Sequence, residues 1–181
     1  MTVAPPMDPD PTNADPGELV FSFATTDDVD AVVALVQSAY RGEASRAGWT
    51  TEADLLDGRR TGRDDIEAIL ERERSRLLLA ELDGELIACA HVAVEDGAGY
   101  FGMFSVRPTL QGGGIGARVL EEAERIVRQE WGQAHMRMTV IDIRSELIAY
   151  YERRGYRRTG ILKPFPYGDA RFGLPTRDDL R

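Results

Sequence analysis

The sequence has little cysteine, no long apolar run and no excess of positive charge, and each absence excludes a class of protein. One cysteine, Cys89, cannot form a disulfide within the chain. No apolar run approaches the ~18 residues of a membrane-spanning helix, so no membrane partner is expected. The first residues carry no basic segment followed by an apolar one. No secretory signal is therefore predicted, and the expected location is cytoplasmic.

The charge balance is acidic, with 31 Asp and Glu against 22 Lys and Arg and a formal net charge of −9. A nucleic-acid-binding surface needs clustered lysine and arginine, so neither DNA nor RNA is an expected partner. The acidity mildly favours a cationic acceptor, although acidic residues also serve solubility alone. With 43% hydrophobic residues, the composition is that of an ordinary globular domain.

The chain divides into a tail and one domain. Residues 1–18 are rich in proline and small polar residues, which predicts a disordered tail because the segment has no core to bury. Residues 19–181 are long enough for a single domain with its own core. Residue preferences and turns predict six strands, namely Leu19–Ala24, Leu77–Leu82, Leu86–Val94, Tyr100–Val106, His135–Ile143 and Tyr156–Leu162.

Helices are predicted between these strands. Apolar spacing predicts one helix after Thr26, one over Asp64–Arg74, one from the glycine run to Arg128, and one from a capping Ser145 to Arg154. Residues 41–62 form a long irregular link with a short helical piece over Ala53–Leu56. Long links in compact domains are usually functional or disordered.

The central stretch of the sequence runs from Tyr100 to Arg128 and predicts a strand, a glycine turn and a helix. Gly112, Gly113, Gly114 and Gly116 allow the backbone to approach a ligand closely. The helix starts inside this glycine run, and the first N–H groups of a helix have no internal partner. Such a turn is an anion site, and phosphate is the usual anion.

Two phosphate motifs fit this stretch poorly. A P-loop needs lysine and then serine or threonine after its last glycine, whereas Ala117 and Arg118 follow Gly116 here. A dinucleotide fingerprint needs its glycines directly after a strand, whereas residues 107–111 intervene. A nicotinamide-dependent oxidoreductase remains an alternative that bound NADH would reveal.

The glycine stretch also resembles a known family. The letters Val106-x-Pro108-x-x-Gln111-Gly112-x-Gly114-Ile115-Gly116 resemble the pyrophosphate loop of the GNAT superfamily, the acyl-CoA-dependent N-acyltransferases. A second segment, Leu147–Tyr156, resembles the later helix and turn of that family, in which Tyr151 is followed by Gly155 and an aromatic residue. The two matches occur in the family's order, with one helix and one strand between them.

The resemblance implies a fold, a co-substrate and a reaction. The fold is α/β (α+β), a single domain with a mixed, mostly antiparallel sheet and a splayed parallel pair of central strands flanked by helices. The co-substrate is acetyl-CoA, without a metal. The reaction is transfer of the acetyl group to a primary amine of an unidentified small-molecule or peptide acceptor, by direct attack in a ternary complex.

The resemblance also implies site residues. The residues expected to bind the coenzyme are Phe104, Ser105, Val106, Gln111, Gly112, Gly113, Gly114, Ile115, Gly116 and Ala117. The residues expected to face the acceptor lie in the long link and before it, namely Tyr40, Glu43, Trp49 and Glu52. Tyr151 holds the position of the general acid that protonates the leaving thiolate, and a phenol can serve as that acid.

The general base and one departure from the family are left open. His91, Glu43, Glu52 and water chains are candidates for the base, while Cys89 in a strand is more typical of inert packing. Many family members have an asparagine where Arg144 and Ser145 stand, so Arg144 is a candidate contact to the coenzyme phosphates or the acceptor.

The C-terminal residues make a poor closing strand, and an exposed sheet edge must be managed. The edge strand is short, absent, or covered by a second copy of the chain in a homodimer. A non-catalytic acyl-CoA-binding or regulatory module on the same fold is the functional alternative.

Overall fold

The computed structural model describes residues 18–49, 51–167, 169 and 174–180. The predicted tail lies outside this part of the chain, apart from Glu18, which is exposed. The helices are α1 (Val29–Tyr40), α2 (Gly42–Ser45), α3 (Arg63–Glu71), α4 (Ile115–Arg125) and α5 (Ser145–Glu152). The strands are β1 (Val20–Phe23), β2 (Leu56–Asp57), β3 (Ser75–Leu82), β4 (Glu85–Glu95), β5 (Ala98–Val106), β6 (Met136–Arg137) and β7 (Leu174–Pro175).

The main sheet has five strands in the order β1-β3-β4-β5-β6. The first four are antiparallel to their neighbours, and β6 is parallel to β5. Asp83 and Gly84 join β3 to β4, and Asp96 and Gly97 join β4 to β5, all with positive φ. Such two-residue turns match the twist of the paired strands. The predicted antiparallel meander and the predicted fold class are therefore confirmed.

Helices cover both faces of the sheet. One core cluster joins α1 and α3 to alternate residues of β3 and β4, such as Leu77, Leu79 and Cys89. The other cluster joins α4 and Tyr151 to the intervening residues of β3 and β4, such as Leu78 and Ala90, whose side chains point to the opposite face. This division follows from the period-two alternation of side chains along a strand. Both faces of β3 and β4 are buried, which explains their nearly continuous apolar sequence.

The structure corrects the predicted strands after α4. Of the predicted strand over residues 135–143, only β6 forms. The predicted strand Tyr156–Leu162 is absent, and Ile161 and Leu162 are 72% and 59% exposed. β-propensity reflects packing against neighbours, and the two residues of β6 offer a short edge to pair with. Gly160, with φ +75°, also interrupts an extended course. The parallel pair β5–β6 consequently lies at the edge of the main sheet rather than at its centre.

Two local predictions are also wrong. The segment predicted as a helical piece at Ala53–Leu56 is a turn followed by β2, which pairs with the C-terminal β7. Ser145 is the first residue of α5, and the residue before it makes no capping hydrogen bond through its side chain. By contrast, Gly155 has φ +90° directly after the last turn, which confirms the predicted left-handed end of this helix.

Candidate active site

A bulge in β5 opens the sheet beside α1. Cys89 pairs with Ser105 and His91 pairs with Gly102, so Ala90 faces two residues of β5. One of these, Met103, has φ +47°, a conformation that residues with side chains rarely adopt. The other is Phe104, whose carbonyl accepts a hydrogen bond from the Tyr40 hydroxyl at the end of α1. The bulge therefore directs backbone groups of β5 away from the regular ladder.

The glycine turn follows β5 and leads into α4. Gly112 and Gly114 have φ +87° and +83°, so both adopt the left-handed conformation that glycine tolerates. Gly114 precedes the first residue of α4 and provides no side-chain cap. The N–H groups of the first turn, from Ile115 onward, have no partner within the helix. This end of the helix is therefore suited to bind an anion.

The bulge, the glycine turn and α5 enclose a pocket of about 260 Å³. Its lining is largely aromatic and glycine-rich, and consists of Tyr40, Trp49, Phe104, Val106, Gln111, Gly112, Gly114, Gly116, Ala117, Leu147, Tyr150, Tyr151 and Arg154. A Cβ atom at Gly116 would lie 3.1 Å from Phe104 Cζ and 3.3 Å from Tyr150 Oη. The absence of a side chain at Gly116 therefore keeps the pocket open.

Two adjacent tyrosines of α5 contribute to this pocket in different ways. Tyr151 is 7% exposed, and burial and the neighbouring hydroxyls of Tyr40 and Tyr150 raise its pKa. Tyr150 is half-buried, and its ring centroid lies 5.4 Å from the ring centroid of Trp49. The guanidinium of Arg154 lies 3.7 Å from the Tyr150 ring centroid. Tyr151 therefore stays protonated in neutral solution at the inner wall, while Tyr150 forms the outer wall.

The Gln111 side chain connects the glycine turn to the long link. Its amide nitrogen donates to the Val106 carbonyl at 3.0 Å, and its oxygen accepts from the Trp49 N–H at 3.0 Å. A Cβ atom at Gly48 would lie 2.5 Å from that oxygen, so glycine is required for this close approach. The link is thus held against the pocket on the side that Trp49 and Tyr40 line.

Beside Tyr40, three arginines surround one carboxylate. Glu52 is 6% exposed, and its two oxygens accept hydrogen bonds from Arg41 at 2.7 Å and from Arg144 at 2.9 Å. Arg60 Nε lies 4.0 Å from the same carboxylate. Burial and the Glu52 charge raise the pKa of Tyr40 to about 12, against the smaller effect of Arg60 and Arg144. We call Arg41, Arg60, Arg144 and Glu52 the arginine cluster.

The family assignment follows from comparison with known proteins. A model of the acetyltransferase (GNAT) family matches residues 29–156. This chain belongs to the GNAT acetyltransferase family. An IAA acetyltransferase of Azospirillum brasilense is 31% identical over 144 residues, covering 77% of this chain and 84% of that protein. The resemblance inferred from the two motifs is therefore confirmed.

Solved structures share the fold at low sequence identity. The ribosomal-protein-S18-alanine N-acetyltransferase from Escherichia coli aligns with a TM-score of 0.65 and 18% identity over 87% of this chain and 88% of that one. AAC(6')-Iy, in complex with the bisubstrate analogue CoA-S-monomethyl-acetylneamine, aligns with a TM-score of 0.62 and 13% identity over 82% and 97%. Together with the family match, these likenesses show that the chain is a GNAT acetyltransferase.

The pocket of this GNAT chain contains most, but not all, of the residues expected at the site. Seven of the ten expected coenzyme residues line it. Of the others, Ser105 and Ile115 are buried, and Gly113 is exposed in the turn. Tyr40 and Trp49 line the acceptor side. Neither expected carboxylate does, because Glu52 is buried in the arginine cluster and the Glu43 side chain is 89% exposed beside Arg46.

The geometry of the turn fits the acetyl-CoA that GNAT enzymes use. The start of α4 offers backbone amides to a diphosphate, and the opening at Gly116 is narrow enough that a Cβ atom would fill it.

Among the described residues, no group of three or more His, Cys, Asp or Glu is placed to hold a metal ion. The same part of the chain contains no helix that is long and apolar enough to span a membrane.

The sequence analysis missed three residues of the pocket wall. Leu147, Tyr150 and Arg154 lie on one side of α5 and just beyond its end. Residues three and four positions apart lie on the same face of a helix, so the spacing of these three residues could have indicated that they line one wall together. The arginine cluster had no comparable signal, because three of its members are spread irregularly over the long link and Arg144 is 92 residues from Glu52.

Two other residues considered for chemistry are buried outside the pocket lining. Burial raises the pKa of the Cys89 thiol to about 12, which leaves the sulfur unreactive at neutral pH. His91 is 6% exposed, and its Nε2 lies 2.9 Å from Ser75 Oγ. Because that hydroxyl donates to the Ile69 carbonyl, Nε2–H must donate to it. His91 is therefore buried and hydrogen-bonded to Ser75, outside the pocket lining.

Replacement of His91 by glutamine is expected to remove part of the acid sensitivity of the fold. Burial, and next the charge of Arg72, lower the pKa of His91 from 6.5 to about 4. The unfolded chain then binds a proton that the folded chain does not, so stability falls as the pH drops from 6.5 towards 4. The wild type should lose about 2 to 3 kcal/mol more unfolding free energy than His91→Gln between pH 7 and pH 4.5 in urea titrations. Equal losses would contradict the burial of a neutral ring.

Proposed function

We propose that this enzyme transfers the acetyl group of acetyl-CoA to the primary amine of a small-molecule or peptide acceptor, by direct attack in a ternary complex. The observation that carries this proposal is a single pocket in which the glycine turn, the bulged strand and Tyr151 meet. Each part matches one requirement of the reaction, namely an anion site, exposed backbone donors and a proton source.

The donor would lie along β5 and end at the glycine turn. The amides between Gly112 and Ala117 would bind the diphosphate, helped by the positive end of α4. The backbone of Phe104–Val106 would pair with the extended arm of the coenzyme, since the bulge at Met103 interrupts the regular pairing there. The AAC(6')-Iy structure was obtained with a CoA-based bisubstrate analogue, which supports the same occupant for this fold.

The chemistry requires a neutral amine and a protonated leaving group. An alkylamine with a pKa near 10.4 costs roughly 4 to 5 kcal/mol to deprotonate at pH 7, which desolvation in the pocket would reduce. The amine nitrogen would form a bond to the thioester carbonyl carbon, and the carbon–sulfur bond would break. Tyr151 would donate its proton to the departing thiolate. The amine would release one proton to solvent, and solvent would return one proton to Tyr151, which closes the cycle. The raised pKa of Tyr151 keeps this proton available.

The acceptor would enter from the side of the long link. Tyr40 and Trp49 would contact it directly, because both line the pocket. Glu52 would not contact the acceptor directly but would help to position Tyr40. The backbone N–H of Glu52 donates to the Tyr40 carbonyl at 3.1 Å. Glu43 would contact only a part of the acceptor that extends beyond the pocket, since its side chain faces solvent. An IAA acetyltransferase and a complex with an acetylneamine-based bisubstrate analogue are among the similar proteins, and they leave the acceptor open.

Calorimetry and thiol release test the proposal together. Acetyl-CoA and CoA are expected to bind with a stoichiometry of one per chain, whereas NADH at the same concentration should give no heat. Free thiol should then appear from acetyl-CoA when a panel of small amines is added, and mass spectrometry should find the acetylated amine. Binding without acetylation of any amine would favour the acyl-CoA-binding module, and no binding would remove the proposal.

Cytoplasmic location and a homodimer remain predictions about the setting of this activity. A second copy would have the β6 edge of the main sheet to cover, and separately the exposed Ile161 and Leu162. Light scattering coupled to size-exclusion chromatography would measure the mass in solution, against 20.1 kDa for one chain.

A further inference from the structure

The arginine cluster lies beside Tyr40, and Tyr40 in turn lines the pocket. The guanidinium of Arg60 lies 5.3 Å from the ring centroid of Tyr40, and Tyr40 lines the pocket. Arg144 and Arg60 both affect the pKa of the Tyr40 hydroxyl, and Arg144 affects that of Tyr151 as well. The positive charge of the cluster therefore acts on both tyrosine hydroxyls, and Arg60 lies against the Tyr40 ring.

The ion pairs inside the cluster leave some guanidinium nitrogens of Arg41 and Arg60 without hydrogen-bond partners. Arg41 is 4% exposed, yet its Nε and Nη2 atoms have no hydrogen-bond partner. The guanidinium of Arg60 makes no hydrogen bond among the described residues, and its 4.0 Å approach to Glu52 is longer than a hydrogen bond. Its side chain is 28% exposed, so a ligand can reach it. Buried polar groups are normally paired, and each exception calls for an explanation.

The pocket wall itself carries no carboxylate among the described lining residues. A polycationic acceptor would need acidic side chains to replace its hydration. The nearby Glu52 cannot serve, because two arginines already occupy its oxygens. An acceptor with an anionic group would instead gain contacts with arginine, whose planar fork suits a carboxylate. This reverses the weak preference for cationic acceptors that the net charge suggested.

We propose that the acceptor is an amino acid or a similar amine bearing a carboxylate, and that Arg60 binds this carboxylate at the Tyr40 edge of the pocket. This inference rests on the proposed acetyl transfer and specifies its substrate class. Glu52 holds the three guanidinium groups together, so that Arg41 and Arg144 add positive charge behind Arg60. The Tyr40 ring lies under the Arg60 guanidinium, and its hydroxyl donates to the Phe104 carbonyl. A carboxylate held by Arg60 at the edge of this ring would leave the amine of the same acceptor on the Phe104 side.

Paired acceptors test the proposal. Thiol release from acetyl-CoA is measured with glycine, alanine, phenylalanine, tryptophan and glutamate, and with the carboxamide of each. Each KM is expressed as the concentration of the neutral amine at the assay pH, because an acid and its amide differ in amine pKa. The remaining difference then reports the carboxylate. At least one acid is expected to have a KM about tenfold below that of its amide, the size of one charge-assisted hydrogen bond. Equal KM values in every pair, or no turnover of any acid, would overturn the proposal.

Matched variants locate the contact. Arg60→Gln is expected to raise the KM of the preferred acid to that of its amide, while the KM of the amide changes by less than about twofold. Arg59→Gln removes the same charge from the adjacent exposed residue and should leave both values unchanged. An equal increase for acid and amide in Arg60→Gln would contradict carboxylate binding. Calorimetry with CoA on each variant reports the coenzyme site separately, so a failed proposed function is recognised by the absence of CoA binding.

Discussion

Replacement of Gly116 by valine is expected to weaken CoA binding about 30-fold. The first carbon of the new side chain would lie 3.1 Å from Phe104 Cζ and 3.3 Å from Tyr150 Oη, and the further methyl groups would occupy the pocket between them. Overpacking of this kind costs about 1 to 3 kcal/mol, and the middle of that range corresponds to the stated loss. Calorimetric titration with CoA measures it.

Gly113→Ala is the matched control in the same turn. A Cβ atom there would meet only the Leu110 carbonyl oxygen at 3.7 Å, an ordinary contact, and the residue keeps its backbone N–H. CoA affinity should change by less than about threefold. Thermal unfolding of both variants separates local blockage from a loss of folding. Wild-type affinity in a folded Gly116→Val protein would show that the coenzyme does not use this passage.

Tyr151→Phe is expected to lower kcat roughly 100-fold and to leave the affinity for CoA unchanged. The substitution removes one hydroxyl from a buried ring, so the packing of α5 against the core is preserved. General acid catalysis contributes about 10²- to 10⁴-fold, and the lower end applies where solvent can supply a proton instead. Steady-state kinetics with an identified acceptor, together with calorimetry, distinguish the loss of chemistry from the loss of binding.

The pH dependence provides a second measure of the same role. Burial raises the pKa of Tyr151 above the ordinary value of 10.0 for a phenol. The wild-type kcat should therefore show no decline from this group below about pH 10. Tyr150→Phe is the comparison, because Tyr150 is adjacent, partly exposed and also lines the pocket. A larger loss of kcat in Tyr150→Phe than in Tyr151→Phe would reassign the acid to Tyr150.

Local signals in the sequence predicted the donor half of the site. The glycines after Pro108 predicted a turn and a helix start because these φ values and exposed amides are local properties of the backbone. Gly155 predicted the end of α5 for the same reason. The hairpins at Asp83-Gly84 and Asp96-Gly97 specify their own registers, which is why the meander was predicted within one or two residues.

The wrong predictions concern segments whose structure depends on distant partners. Tyr156–Leu162 has the composition of a strand, yet a strand forms only against an available neighbour, and β6 is two residues long. Leu56 was assigned to a helical piece from its local surroundings, but it pairs with Pro175, more than a hundred residues away. No local pattern reports such a pairing.

By itself, the sequence determined the family and the glycine turn, and it supplied the candidate acid, because each depends on residues that are close together along the chain. Only the tertiary structure decided the acceptor side. Glu52 was expected to face the acceptor, but folding brings Arg41 and Arg60 from the two ends of the long link, and Arg144 from the other half of the chain, around it. The charge that an acceptor meets is a sum over neighbours in space, and the order of residues in the chain does not contain that sum.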